Sequence, residues 1–319
     1  MTMLNRILAQ AEEIAIGGHV RPDGDCTGSC MGMYQYIREN YPEKTVHVYL
    51  EDIPESYRFI KAAEDIRHEI PGGRAYDLFI CLDCGDKERL GFSAPLFGQA
   101  KRTFCIDHHI SNQSFADENY IVPDASSTSE LVYQLLDKAK ISKEVAEALY
   151  LGIIHDTGVF QYSCTAPSTM RAAADLMEKG VDTSALIQDT YYEKTYAQNQ
   201  VLGRALLESI LFMDKKCIAV YIKQRDMEFY GVTPKDLDGI VSHLRNTKGV
   251  EVAVFMYETK PSEYKVSLRS TRNVDVSVIA QYFGGGGHKK AAGFTMTGQP
   301  LDVLNNLSVQ IAHQLGEEV

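Results

Sequence analysis

The sequence predicts an α/β protein in two parts: an N-terminal domain on a parallel sheet, joined by a helical linker to a smaller α+β domain. Strand-like apolar runs alternate with helical ones through the first half, which implies crossover units. From about residue 186 that alternation gives way to a polar helical stretch and then to a different strand pattern. At 319 residues and 45% apolar content, the chain can fill two cores of ordinary size. The expected division is 1–185 for the first domain, 186–209 for the linker and 210–319 for the second.

Taken in order, "IAIGGHV", "TVHVYL", "YDLFICLD" and "RTFCID" read as the strands of the first sheet. "CTGSCMGMYQYIREN", "SSTSELVYQLLDKAK" and "SKEVAEALYLGIIHDTG" have helical spacing, and "QDTYYEKTYAQNQVLGRALLESI" reads as the connector. In the second domain, "CIAVYIK", "VEVAVFMYE" and "YKVSLRS" look like hairpin strands. They precede a helix "DVSVIAQYF", the run "GGGGH", a strand "AGFTM" and a closing helix from about Leu301.

Composition narrows the function. A net charge of −11 argues against a protein that coats long duplex nucleic acid, because that affinity needs many cations against phosphates. A small anion held by a few local cations stays open. No apolar run approaches membrane-spanning length, and the opening helix pattern contains acidic residues, so a soluble, cytoplasmic protein is expected. Seven cysteines without an export signal read as reduced thiols. Cys81 and Cys84 form a CxxC with no second pair to complete a zinc site, so structural thiols are expected, with dithiol chemistry as the alternative.

In parallel sheets ligands collect at the carboxyl ends of strands. Here those ends bear His19, Asp23 and Asp25 after the first strand, Asp83 after the third, and Asp107, His108 and His109 after the fourth; Asp156 follows an apolar helix. Carboxylates gathered at one point repel and desolvate badly unless cations lie among them. Two divalent metals would balance four carboxylates. The mixed imidazole and carboxylate set suits manganese first and magnesium second. His155 reads as a packed or solvated helix residue, and His47, His68, His243 and His313 match no motif. The glycines before His288 fit no nucleotide fingerprint. They are either a turn or a backbone surface that an anion can approach closely.

The ordered acidic motifs together with "VSLRS" and "DVSVIAQYFGGGGHKKAAGF" resemble the DHH phosphoesterase superfamily with its DHH-associated C-terminal domain, over essentially the whole chain. The pairing of these two domains resembles the branch that acts as oligoribonuclease and pAp phosphatase. By that resemblance, His19 and Asp23 hold one metal, Asp25, His108 and Asp156 hold the other, and Asp83 bridges them. Asp107 would orient an imidazole behind the metals. His109 would face substrate, as a phosphate contact or as the acid for the leaving oxygen.

The resemblance further implies that Arg269, Arg272, Gly285, Gly286, Gly287 and His288 form a phosphate and base pocket, with Lys289 and Lys290 less firmly attached to it. The active site would lie in the cleft between the domains. The implied reaction is in-line hydrolysis at phosphorus with two metals, most simply Mn2+, and a departing 3′ oxygen. Short 5′-phosphorylated RNA, pApA and pAp are the implied substrates, and a homodimer is compatible with the resemblance. Alternatives are a cyclic-di-AMP or pApA phosphodiesterase and a silent nucleotide sensor. A sensor would be expected to have lost ligands, and none is missing.

Overall fold

A computed structural model describes residues 3–70, 72 and 75–316, excepting the side chain of residue 288. The chain divides into two compact units, Met1–Glu193 and Lys194–Val319. The helical stretch at 186–209 therefore contributes to both.

The first unit opens with helix α1 (Met3–Leu8), strand β1 (Glu13–Gly17), helix α2 (Gly24–Asn40) and strand β2 (Thr45–Tyr49). Strand β3 (Leu78–Leu82), helix α3 (Ala94–Gln99) and strand β4 (Thr103–Asp107) follow. The order continues with β5 (Glu118–Ile121), α4 (Thr128–Leu135), α5 (Lys143–Asp156), α6 (Pro167–Met177) and α7 (Thr183–Ile187). All pairings in the five-stranded sheet are parallel, in the order β2-β1-β3-β4-β5.

Both faces of the sheet are covered, so β3 and β4 are buried without a break and β3 is apolar throughout. Leu78, Ile80 and Leu82 of β3 join one core with α2, α4 and α5, while Phe79 and Cys81 join a second with α3. The strand order reverses between β1 and β3. A doubly wound sheet opens its ligand crevice at that reversal, beyond the carboxyl ends of the two strands.

Three expectations needed adjustment. Strand β5 was not anticipated: all four residues are half-buried, so no alternation marks it. Helix α4 stops at Leu135, eight residues long, where a longer run had the right spacing; Leu136 takes an extended backbone instead. The third concerns the second unit, where "CIAVYIK" and "VEVAVFMYE" are not a hairpin.

That unit contains α8 (Tyr196–Leu207), β6 (Ile210–Phe212), β7 (Cys217–Ile222), α9 (Gln224–Tyr230) and α10 (Ile240–Arg245). Then come β8 (Val252–Lys260), β9 (Glu263–Ser270), α11 (Val276–Tyr282), β10 (Gly286–His288), β11 (Ala291–Thr297) and α12 (Pro300–Leu315). The sheet order is β10-β11-β9-β8-β7-β6. Strands β7 and β8 pair in parallel, with α9 and α10 between them in the chain; β8 and β9 make the antiparallel hairpin. No helix of the described residues is long and apolar enough to cross a membrane.

Candidate metal centre

The first unit brings His19, Asp23, Asp25, Asp83, Asp107, His108, His109 and Asp156 together beyond the carboxyl ends of β1, β3 and β4. His19 Nε2 lies 3.6 Å from Asp23 Oδ1 and 3.4 Å from Asp83 Oδ2. His108 Nε2 lies 3.0 Å from Asp156 Oδ2, 3.7 Å from Asp83 Oδ1 and 3.9 Å from Asp25 Oδ2. Asp83 thus turns one oxygen to each imidazole. It sits one residue past the central strand with φ of 54°, a left-handed backbone that a non-glycine residue adopts only when its surroundings hold it there.

The ring orientations decide what these histidines can do. His19 Nδ1 donates to the Val20 carbonyl at 2.8 Å, and His108 Nδ1 donates to the Ala125 carbonyl at 3.3 Å. Each donation commits Nδ1 and leaves Nε2 facing the carboxylates, the usual preparation of a metal ligand. His109 differs. Its Nδ1 donates to Asp107 Oδ1 at 2.7 Å, and Asn112 Nδ2 donates to the other oxygen of Asp107, also at 2.7 Å. Asp107 therefore orients His109 and not the imidazole expected to bind metal, because a backbone carbonyl already serves His108.

Helix starts supply the rest. Asp23 caps α2, its Oδ1 accepting from the N–H groups of Asp25 and Cys26, both at 3.1 Å. Asp25 is fully buried in the first turn of α2. Its two oxygens accept from Thr128 N at 2.6 Å and Ser129 N at 2.8 Å, at the start of α4. The Thr128 hydroxyl donates to Asp83 Oδ1 at 3.2 Å. Gly152 on α5 leaves room for this junction: a β-carbon there would lie 1.9 Å from Ser129 Oγ and 2.7 Å from Asp25 Oδ1. His155 is a packed residue, its ring between Tyr57 and Thr190 with hydrogen bonds of 3.3 and 3.2 Å.

Charge in the site is unbalanced. Burial, then Asp83 and Asp156, push the Asp25 carboxyl well above its ordinary range. Burial also raises Asp156, to about 6, against the pull of His108. Burial alone would lower the imidazoles; for His19 it is outweighed by Cys26, Asp23 and Asp83, which push it up to about 12. His108 is pushed up to about 11, chiefly by Asp156, against the same opposing burial. Asp83 stays below the ordinary carboxylate value because His19 and His108 outweigh its burial. Protons are taken up where the donor set calls for cations. Carboxylate oxygens and aimed Nε2 atoms suit hard or borderline divalent ions. Among the described residues three groups of donors lie close enough to share an ion: His19 with Cys26 and Asp83, Asp83 with His108 and His109, and Asp25 with His108 and Asp156.

Sequence reasoning did not find Thr128, Ser129, Asn112 or Cys26. The "SSTSE" stretch offered a signal for the first two, since a Ser three residues before a Glu marks a helix start whose N–H groups suit a carboxylate. Cys81 and Cys84 are buried among apolar side chains, and among the described residues neither belongs to a group that could hold a metal.

In the second unit, Arg269 on β9, Ala291 on β11 and His288 on β10 occupy one register line. The side chain of His288 lies outside the described residues. Arg272 lies past the end of β9, not on it, its N–H accepted by Glu251 Oε1 at 3.0 Å. Gly285, Gly286 and Gly287 are not a free turn: the last two begin an edge strand. Gly287, at φ 140°, runs so close to β11 that a β-carbon would lie 2.5 Å from the Ala291 carbonyl. Lys290 Nζ donates to the Arg272 carbonyl, and the Lys289 carbonyl accepts from Val276 N at 3.0 Å.

Residues 13–153 match the DHH family, N-terminal domain, and residues 214–315 match the DHHA1 domain. The chain thus carries a DHH N-terminal domain followed by a DHHA1 domain. DHH relatives include a protein of Bacillus subtilis named bifunctional oligoribonuclease and PAP phosphatase NrnA, 28% identical over 92% of each chain. A Thermus thermophilus protein of the same name is 28% identical over 95% of this chain and 90% of its own. The solved structure of an exopolyphosphatase-related protein from Bacteroides fragilis has the same fold, with a TM-score of 0.88 at 24% identity, covering 97% of this chain and 94% of that one.

Proposed function

We propose that this DHH protein is a hydrolase that uses two divalent metal ions to cleave short 5′-phosphorylated oligoribonucleotides, including pApA, to mononucleotides and pAp to AMP. The observation that carries the reading is Asp83, one oxygen toward His19 and the other toward His108. The names of the Bacillus and Thermus relatives support the substrate class.

In this reading His19 and Asp23 hold one ion, Asp25, His108 and Asp156 hold the second, and Asp83 is shared. Manganese is the preferred ion, with magnesium as the alternative. Two such ions supply positive charge that makes water a nucleophile near neutral pH and stabilises phosphoryl oxygens. The chain itself does the rest. Asp25 and Asp83 are held rigid by the start of α4, so the donors are arranged before substrate arrives. Half-buried His108, His109 and Asp156 and exposed Asp23 leave the ligand set open to solvent on one side.

His109, with Nδ1 committed to Asp107, presents Nε2 to substrate. Burial opposes its charged form, but Asp107 and Asp83 outweigh that and raise its pKa, so it can give a proton to the departing 3′ oxygen. Arg269 and Arg272 grip a terminal phosphate through charge-assisted hydrogen bonds, beside the backbone of Gly285 to His288.

The test is a product assay of the manganese-loaded protein with pAp, pApA, cyclic-di-AMP and short RNAs, repeated after chelation. Mononucleotide from pApA and AMP from pAp, both abolished by chelator and restored by Mn2+, are expected. Faster turnover of cyclic-di-AMP than of either would replace the reading with a cyclic-dinucleotide phosphodiesterase, and binding without turnover would make the protein a sensor.

A further inference from the structure

Glu130 on α4 is 1% exposed, yet its carboxylate meets only hydroxyls and amides. Oε2 accepts from Ser126 Oγ at 2.6 Å, Thr169 Oγ1 at 2.8 Å and Ser126 N at 3.4 Å; Oε1 accepts from Gln134 Nε2 at 3.1 Å. Among the described residues no Lys, Arg or His forms an ion pair with it. A buried carboxylate is costly unless it is fully hydrogen-bonded, and one retained without a cation calls for a reason.

The reason lies in what those bonds hold. An ordinary capping-box glutamate reaches back to the N–H of the capping residue, here Ser127. Glu130 reaches past Ser127 to Ser126 and across to Thr169, in the first turn of α6. Its own N–H meanwhile donates to Ser127 Oγ at 3.0 Å. The carboxylate therefore locks the entry to α4 against α6. That entry holds the donors already described: Thr128 N and Ser129 N on the two oxygens of Asp25, and Thr128 Oγ1 on Asp83.

We propose that Glu130 is a positioning residue for the metal centre, fixing the Ser126–Ser129 turn so that its donors aim both Asp25 and Asp83. The proposal rests on the reading of those two aspartates as ligands. It needs no contact between Glu130 and metal or substrate. Its effect is carried by the turn.

The experiment measures Mn2+ affinity by calorimetry, and thermal unfolding with and without Mn2+, for the full chain and its Glu130→Gln and Asp25→Ala variants. Glu130→Gln should bind Mn2+ about 10–100-fold more weakly. The rise in Tm on adding Mn2+ should shrink with it, because that rise reports metal affinity for the folded state. A role confined to packing would lower Tm equally with and without metal and leave Mn2+ affinity unchanged, which would overturn the proposal. Should Glu130→Gln fail to fold, Thr169→Val removes one donor to the same carboxylate and is judged by the same two readings. Asp25→Ala separates the two ideas. If it binds Mn2+ like the unmodified protein, the ligand reading fails and this inference with it; if it loses metal while Glu130→Gln does not, Glu130 alone is wrong.

Discussion

Replacing Gly152 by alanine would put a methyl carbon 1.9 Å from Ser129 Oγ, and 2.7 Å from both Ser129 Cβ and Asp25 Oδ1. The hydroxyl can rotate away; the other two cannot clear without moving the start of α4 or the Asp25 carboxylate. In an open helix the change would stabilise by about 1 kcal/mol, since alanine is the better helix former. Overpacking a filled site costs about 1–3 kcal/mol, so the net effect is a loss of up to ~2 kcal/mol. More telling is where the displacement falls. Asp25 is pushed off the N–H groups of Thr128 and Ser129, and Mn2+ binding should weaken by about 10–100-fold, the usual cost of disturbing a ligand's support. Urea unfolding of the metal-free protein gives the first quantity and Mn2+ calorimetry the second. A Gly152→Ala protein that is more stable and binds Mn2+ normally would refute the packing argument.

Asp107→Asn should leave metal content unchanged and lower kcat by about 10–100-fold, because it disturbs only the orientation and charge of His109; loss of metal instead would mean that Asp107 supports a ligand. Its pH profile should also shift, since removing the carboxylate lowers the His109 pKa and moves the loss of the acid form to lower pH. Metal binding should release protons, because His19 and His108, raised to about 12 and about 11, are protonated at neutral pH without metal and must be neutral to bind it. Their contribution to metal-free stability is full below the ordinary histidine pKa and is lost as pH rises through those raised values. The affinity for each ion should therefore climb about tenfold per pH unit through neutral pH, and that of the ion assigned to Asp25, His108 and Asp156 should fall further below about 6 as Asp156 takes a proton. Calorimetry in buffers of different ionisation heat reads the release directly; none would contradict the assignment. Arg269→Ala should lose the preference for pApA over ApA and over long RNA while keeping its metal, as kcat/KM for the three substrates will show; an unchanged preference would remove Arg269 from the phosphate pocket.

The sheet and the gathering of acids and imidazoles at its strand ends were legible because their signals are local. Each of β1, β3 and β4 is an apolar run that ends in acids or imidazoles, and the topology places those ends together. Which imidazole Asp107 serves was not legible, since it depends on the Ala125 carbonyl reaching His108 from a different segment. The support of Asp25 by Thr128 and Ser129 spans more than a hundred residues of chain, and no spacing rule reaches that far. Strand β5 lacked alternation, and β6 has only three residues. The parallel pairing of β7 with β8 was hidden because short helices α9 and α10 fill the crossover, where two neighbouring apolar runs suggested a hairpin. The glycines of β10 read as a turn or an anion surface, when their first requirement is close approach to β11.

The account turns on a shared carboxylate between two ions, and the Mn2+ stoichiometry of the unmodified protein beside Asp83→Ala tests it most directly. Asp83 is buried, its backbone is held in a left-handed conformation, and its two oxygens face different imidazoles. Equilibrium dialysis followed by metal analysis should find two Mn2+ per folded chain in the unmodified protein and loss of both at the same free Mn2+ in Asp83→Ala. Two ions still bound to a folded Asp83→Ala chain would contradict the bridging role and the two-metal centre built around it.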